Sequence, residues 1–513
     1  MDYPRRVLTV ALVCALLVVP PVPLSTDGGD HAVSDVDIVD ALRERLDRQR
    51  ADPPTVDAQV RVVLKLQSHD TTVPRAEGFE VERVYTEHGE RLVEGSVSMA
   101  QVHRLSEDPR IQGVRISSGD RTGDGRVAAG VAVVGADRLH AANVTGENVT
   151  VGIIDADFRM SHPAIASSAT YYRQFGDVAP DEWHHGTAVA SVVADTAPDA
   201  DLHLAAIGSS TTPEEYREAV QFLLDNGADV VVDAGSYYSQ PGDGSGELAQ
   251  VAAEAATETV FVTSAGNHGQ SYWAGNYTGG EYVDVTETTE GNVLNGGEAF
   301  SGRVRVTVRW EGWPETDSNY DVYLLRNTSG KDIVVAKATG HDGRPVEYLD
   351  TTVREGEYYV AVRAVDGTPG ERIEVFASHD LTHRSTGGSS APATAEGVLA
   401  VGASQNGTVE AFSARGGVDL VAPDDVAAEG VSVDGGTSFA APYVAGVAAL
   451  VVSEHPEYSP DDVRTRLLAT AVDVGPTGLD DASGYGRVNA TGAVSGPLPA
   501  GGDPAPPGPE EAG

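Results

Sequence analysis

The chain has 513 residues with 35 Lys plus Arg against 77 Asp plus Glu, a formal net charge of −42. A surface that acidic repels nucleic acid and anionic membranes, so neither is an expected partner. The single cysteine, Cys14, lies in the N-terminal apolar run, which excludes both an intrachain disulfide and an active-site thiol.

Lys65, Lys331 and Lys337 are the only lysines. High acidity with so little lysine suits high ionic strength, where salt screens the self-repulsion, and suggests a salt-loving source. Residues 1–26 read as a secretion signal: Arg5 and Arg6 precede the apolar run from Val7 to Val19, and prolines close it. The paired arginines fit a twin-arginine export route. A retained N-terminal anchor is the alternative.

Residues 27–120 read as a small α+β module. An amphipathic helix is expected over 34–48, with Ile38, Val39, Leu42 and Leu46 on one face. Val60, Val62, Leu64 and Leu66 then alternate with Arg61, Lys65 and Gln67 as a half-buried strand. Shorter strands follow near Val81–Tyr85 and Leu92–Val97, then a helix from Ser98 to Leu105 and a strand from Ile111 to Ser117. Ser118 to Gly130 is rich in Gly, Asp and Arg, and suits an exposed, cleavable linker.

From residue 121 to 275 strand and helix signals alternate. Val149–Asp155 is an apolar, β-branched strand ending in an acid. Gly186–Ala194 reads as helix, Leu202–Ala206 as strand, and Pro213–Asn226 as a helix capped by Thr212 and stopped by Gly227. Val230–Val232 (strand), Gly246–Thr257 (helix) and Val260–Thr263 (strand) continue the alternation, which implies a parallel sheet covered by helices on both faces. Residues 276–388 break it. Val304/Val306/Val308/Trp310, Tyr320–Leu325, Ile333–Ala338 and Tyr358–Val365 are strands without helical period, an inserted all-β sandwich. The α/β pattern resumes over 389–495, and residues 496–513, rich in Pro, Gly and acid, form a tail that cannot pack a core.

Within that last part, Gly435-Gly436-Thr437-Ser438-Phe439-Ala440-Ala441-Pro442-Tyr443-Val444-Ala445-Gly446 presents a serine at the start of an apolar helix. A negative charge developing beside Ser438 would feel the free N–H groups of that helix end. Pro442 is expected near the helix start, where a missing N–H does little harm. This stretch resembles the nucleophile segment of subtilisin-like serine proteases. Three further stretches are similar to that family's motifs: Gly152-Ile153-Ile154-Asp155, His185-Gly186-Thr187-Ala188-Val189-Ala190, and Ser264-Ala265-Gly266-Asn267-His268-Gly269. The order Asp, His, Asn, Ser is that of subtilisin-like enzymes.

The resemblance covers about 130–275 and 390–492, and implies an α/β, parallel-sheet catalytic domain preceded by a propeptide. Asp155, His185 and Ser438 would form the triad, with Asn267 in the oxyanion hole. It implies protein or peptide substrates, a secreted monomer, self-processing and no cofactor for the chemistry; structural calcium is allowed without identified ligands, although an acidic loop such as Asp199–Asp201 would suit a cation. Asp157 stands where relatives have Gly and is expected near the partner of His185, where it would raise the imidazole pKa or bind a cation. His184 and His268 are read as bystanders, and Val232–Ser236 fits the family's substrate-strand segment poorly. Sequons fall at Asn143, Asn148, Asn276, Asn327, Asn406 and Asn489. The rival readings are a catalytically silent relative that binds through the β insertion, and a narrow-specificity processing protease.

Overall fold

A computed structural model describes residues 59–66, 79–87, 90–98, 101, 104–105, 108–116, 128–159, 162–178, 184–208, 210–340, 342–428 and 435–496. The expected signal segment, the helix over 34–48, most of the linker after Ser118 and the tail beyond 496 lie outside those residues.

The first strands are β1 (Gln59–Leu66), β2 (Glu80–Glu87), β3 (Glu90–Ser98) and β4 (Ile111–Ile116). Val62, Leu64 and Leu66 are buried as their alternation requires. Lys65, expected on the open side, is buried as well, because β1 is an interior strand paired with both β3 and β4. Of the expected helix up to Leu105, residues 101 and 104–105 are described and helical.

Two short helices missed by the sequence reading, α1 (Gly130–Val134) and α2 (Ala136–Ala141), lead into the α/β body. Its strands are β5 (Thr150–Asp155), β6 (Ala169–Phe175), β7 (Asp201–Ile207), β8 (Val230–Asp233) and β9 (Val260–Ser264). Its helices are α3 (His185–Thr196), α4 (Pro213–Asp225) and α5 (Glu247–Ala255). All five strands run parallel, in the order β9-β8-β5-β7-β6. Successive residues point to opposite faces: Ile153, Val232 and Val262 join one core with α3, while Ile154, Val231 and Phe261 join another with α4 and α5. Thr212 caps α4 in a reciprocal box with Glu215, and Pro213 opens it where no N–H is needed.

The N-terminal strands do not form a separate layer. β4 pairs antiparallel with the edge strand β6, Val114 opposite Tyr172, so one twelve-stranded sheet runs through both parts. Val62, Leu64 and Val93 belong to the same hydrophobic core as Ile153 and Ala440.

The antiparallel insertion begins at β10 (Tyr272–Asn276), ahead of the expected boundary at 276. It continues through β11 (Gly291–Val293), β12 (Phe300–Trp310), β13 (Asn319–Asn327), β14 (Ile333–Ala338), β15 (Val346–Asp366) and β16 (Arg372–Ala377). These seven strands are one continuous sheet and not two separate ones. The long β15 pairs with β12 along its first half and with β13 along its second. Val306, Val308, Tyr320, Val322, Val360 and Val362 from both halves meet in a single core.

The parallel sheet then gains β17 (Leu399–Gln405) beside β9, the short β18 (Thr408–Val409), and β19 (Leu420–Ala422) beside β17. Helix α6 (Thr437–Glu454) is buried from Thr437 through Val451, which its all-round apolar sequence demands. Pro442 sits inside α6, past the first turn, so the Ser438 carbonyl lacks its usual helical donor. The missed helix α7 (Pro460–Ala469) and the short α8 (Ala490–Ser495) close the fold. Asn489 caps α8, its side chain accepting from the Gly492 N–H at 3.1 Å, which ties up one of the sequon side chains.

Candidate active site

Asp155 ends β5, His185 begins α3, Asn267 follows β9, and Ser438 occupies the first turn of α6. The sheet brings these four ends to the carboxyl edge of its central strands, where open α/β sheets place their ligands. The His185 Nδ1–H donates to Asp155 at 2.8 Å to Oδ1 and 2.9 Å to Oδ2, while Nε2 lies 2.9 Å from Ser438 Oγ. The Asp155 side chain is 4% exposed and that of His185 31%, so the carboxylate is sealed beneath an imidazole that solvent reaches. The Ala156 N–H also donates to Asp155 Oδ1 at 2.6 Å. The Phe439 ring, 4.9 Å from that of His185, packs beside it.

Asn267 is oriented by the residue just before the serine. Its Oδ1 accepts from both the N–H and the hydroxyl of Thr437, each at 2.9 Å. The amide is therefore turned so that Nδ2, its donor end, is left for another partner. Thr437 Oγ1 in turn accepts from the Gly266 N–H at 3.1 Å. Gly436 has φ +142°, and a Cβ there would stand 3.4 Å from Ser438 Oγ and 3.5 Å from Asn267 Nδ2. That space is open because residue 436 has no side chain. Ser438 also holds one of the first-turn N–H groups that lack a helical acceptor.

A family model of the subtilases, peptidase S8, matches residues 146–486. The chain belongs to the subtilase family. The halolysin-like extracellular serine protease Nep of Natrialba magadii is 44% identical over 117 residues, 21% of each chain. Subtilisin Savinase of Lederbergia lenta is 40% identical over 145 residues, 26% of this chain and half of that one. The subtilase thus spans about a fifth of the length of the Natrialba protein and half of Savinase. Among solved structures, the Clostridium perfringens CspB protease superposes with a TM-score of 0.48 at 19% identity, covering 68% of this chain and 93% of that one.

Around the four residues, the subtilase departs from the sequence reading in three places. Asp157 pairs with His184, Oδ2 to Nδ1 at 2.8 Å, a partner the sequence reading did not assign it. His184 reaches it from a left-handed conformation, φ +51°, immediately before α3. His268 is no bystander: its ring meets that of Tyr238 edge-on at 4.4 Å, and burial lowers its pKa to about 4, keeping it neutral. Asp233, at the end of β8 in the segment that fits the family poorly, is fully buried. It accepts from Tyr216 Oη at 2.7 Å, the Gly235 N–H at 2.8 Å and Tyr237 Oη at 3.4 Å. Burial raises its pKa to about 6, with the charge of Asp155 adding to the rise against those hydrogen bonds.

Sequence reasoning singled out neither Thr437 nor Asp424 for a role. Asp424 accepts from the Gly436 N–H at 3.0 Å and so anchors the turn before the serine, and burial raises its pKa. The one available signal was their place in and before the serine motif. Among the described residues no group of three or more His, Cys, Asp or Glu side chains is gathered as for a metal ion, and that includes Asp199 to Asp201.

Proposed function

We propose that this subtilase is an exported serine endopeptidase that hydrolyses peptide bonds through an acyl-enzyme. The observation that carries the reading is the 2.9 Å approach of Ser438 Oγ to His185 Nε2, whose other nitrogen is held by Asp155. A serine hydroxyl is too weak an acid to attack unaided, so Nε2 takes its proton as Oγ bonds to the carbonyl carbon. The C=O electron pair moves onto oxygen, where Asn267 Nδ2–H and the Ser438 N–H would donate to it. Collapse of that intermediate breaks the C–N bond, and the amine leaves with the proton from Nε2. Water repeats the sequence on the ester. Asp155 holds the imidazole tautomer and balances its transient charge. The chemistry calls on the chain's own groups alone.

Export is supported by Arg5, Arg6 and the apolar run after them, and by relatives named as extracellular, among them a Serratia marcescens serine protease 45% identical over 62 residues. The net charge of −42 and the Natrialba relative support work in high salt. Release of its own N-terminal segment belongs to the same reading, as do protein substrates and a monomeric state.

A fluorophosphonate probe tests the proposal in high salt. Wild type takes the label, whereas Ser438→Ala takes none and stays full-length. An unlabelled, folded wild type, or labelling that survives Ser438→Ala, overturns it.

A further inference from the structure

The turn after β5 is joined to the start of α3 by successive rungs. Asp155 holds His185 at 2.8 Å, Asp157 holds His184 at 2.8 Å, and the Arg159 N–H donates to Thr187 Oγ1 at 2.7 Å. Between those rungs the two segments touch. A Cβ on Gly186 would stand 2.9 Å from the buried Phe158 ring and 3.2 Å from the Ala156 carbonyl oxygen. The acid that orients the imidazole and the acid that holds its neighbour thus lie two residues apart on one turn.

His184 takes a backbone conformation that a residue with a side chain does not favour. Its φ of +51° and ψ of +49° are left-handed, and its side chain does not cap α3. Among the described residues, the other non-glycine residues at positive φ are Asn143, Asn148, Asn295 and Asn406, and asparagine is the side chain that tolerates that region. The His184 carbonyl accepts from the Ala188 N–H at 3.0 Å, so the helix runs straight on from the strained residue. Relaxation of His184 to negative φ would swing the following peptide, and His185 is the first residue that peptide carries. The pair with Asp157 opposes that rotation, and each of its side chains is only 18% exposed.

We propose that Asp157 and His184 are positioning residues for the catalytic imidazole: their pair holds His184 left-handed, and that conformation sets His185 within reach of both Asp155 and Ser438. The proposal rests on the serine endopeptidase reading. The pair acts through the peptide joining 184 to 185 and not by contact with substrate. Strained residues persist only where their surroundings over-determine them, and they gather at active sites. Losing the pair lowers the fraction of molecules whose triad is aligned and leaves the groups that meet the substrate as they were.

Steady-state kinetics on a small peptide substrate and the rate of fluorophosphonate labelling, both in high salt, read the effect. Asp157→Ala should lower kcat and the labelling rate by about tenfold with KM little changed, the population shift that a left-handed side-chain residue implies. His184→Ala should lose a similar amount, and the two together no more than either alone, because the partners act as one unit. Glycine is the discriminating substitution, since it adopts the left-handed region freely. Adding His184→Gly to Asp157→Ala should restore kcat by at least about threefold, and His184→Gly alone should stay about threefold above His184→Ala. A pair that served stability alone would leave kcat of the folded variants unchanged, and glycine would rescue nothing. Wild-type kcat in Asp157→Ala, or no gain from glycine, overturns the proposal. Should Asp157→Ala not fold, His184→Ala against His184→Gly decides the matter. Labelling of wild type separates the two failures. Labelled wild type with unresponsive variants sinks the role of the pair alone, and folded wild type that takes no label sinks the endopeptidase reading and this proposal with it.

Discussion

Thr437→Val is the sharpest test of how the oxyanion donor is aimed. Valine keeps the shape of threonine but removes a hydroxyl that donates to Asn267 Oδ1 and accepts from the Gly266 N–H. Two losses follow. The buried Gly266 N–H is left without an acceptor, which costs about 1–3 kcal/mol of stability. Asn267 Oδ1 keeps only the Thr437 N–H, so the amide loses one of two restraints on its orientation. One neutral hydrogen bond is worth about 1 kcal/mol net, so kcat should fall roughly five- to tenfold with KM little changed. Asn267→Ala removes the donor outright. For subtilisin itself that loss is about 2.7–4 kcal/mol, a magnitude borrowed from that enzyme. The assay is steady-state kinetics on a small peptide substrate beside thermal denaturation, with Thr437→Ser as the rescue because serine restores the hydroxyl. Thr437→Val turning over at the wild-type rate while Asn267→Ala loses a hundredfold would refute the aiming argument. Asn267→Ala at full activity would refute the donor itself.

Gly436→Ala should abolish turnover and fluorophosphonate labelling by about a hundredfold or more, because its methyl lands between Ser438 Oγ and Asn267 Nδ2 where the substrate oxygen must sit, in a backbone conformation glycine alone adopts readily. Retained labelling would show that space to be unused. Asp233→Asn bears on stability against pH. The folded pKa of Asp233, raised to about 6 from 3.8, means that its contribution is present below the unfolded value and lost as pH rises through about 6. The asparagine variant should thus match wild type near pH 4, gain over it between pH 4 and 6, and hold a constant advantage of up to about 3 kcal/mol above that, read by denaturant unfolding. A pH-independent difference would mean that the carboxyl titrates normally.

Much of the fold was legible because its signals are local. β-branched runs such as Thr150–Asp155 and Val260–Ser264 sit in interior parallel strands, and the Thr212-Pro213 start of α4 carries its own cap. What escaped was non-local or weakly patterned. Helices α1 and α2 are too short to show a period, and β6 is an edge strand whose partner β4 lies far back in the chain. No pattern within residues 111–116 shows that they will extend the parallel sheet, since that pairing depends on an edge formed by residues 169–175. The single bent sheet of the insertion was likewise invisible, because β15 reads as ordinary alternation along both halves.

The candidate site shows the same division more sharply. Asp155, His185, Asn267 and Ser438 were legible because each stands in a stretch that resembles a motif of the subtilisin-like family. Their orienting partners were not, because a hydrogen bond to Thr437 leaves no mark on the sequence around Asn267. The structure joins the two: one threonine couples the loop after β9 to the first turn of α6, so the donor and the nucleophile are placed by the same residue. The partner of Asp157 escaped the sequence for a related reason. Two residues beyond an acid at a strand end, a carboxylate is near the imidazole along the chain, yet the turn after β5 delivers it to His184 at 2.8 Å. Spacing fixes which residues can meet, and the turn between them decides which pair does.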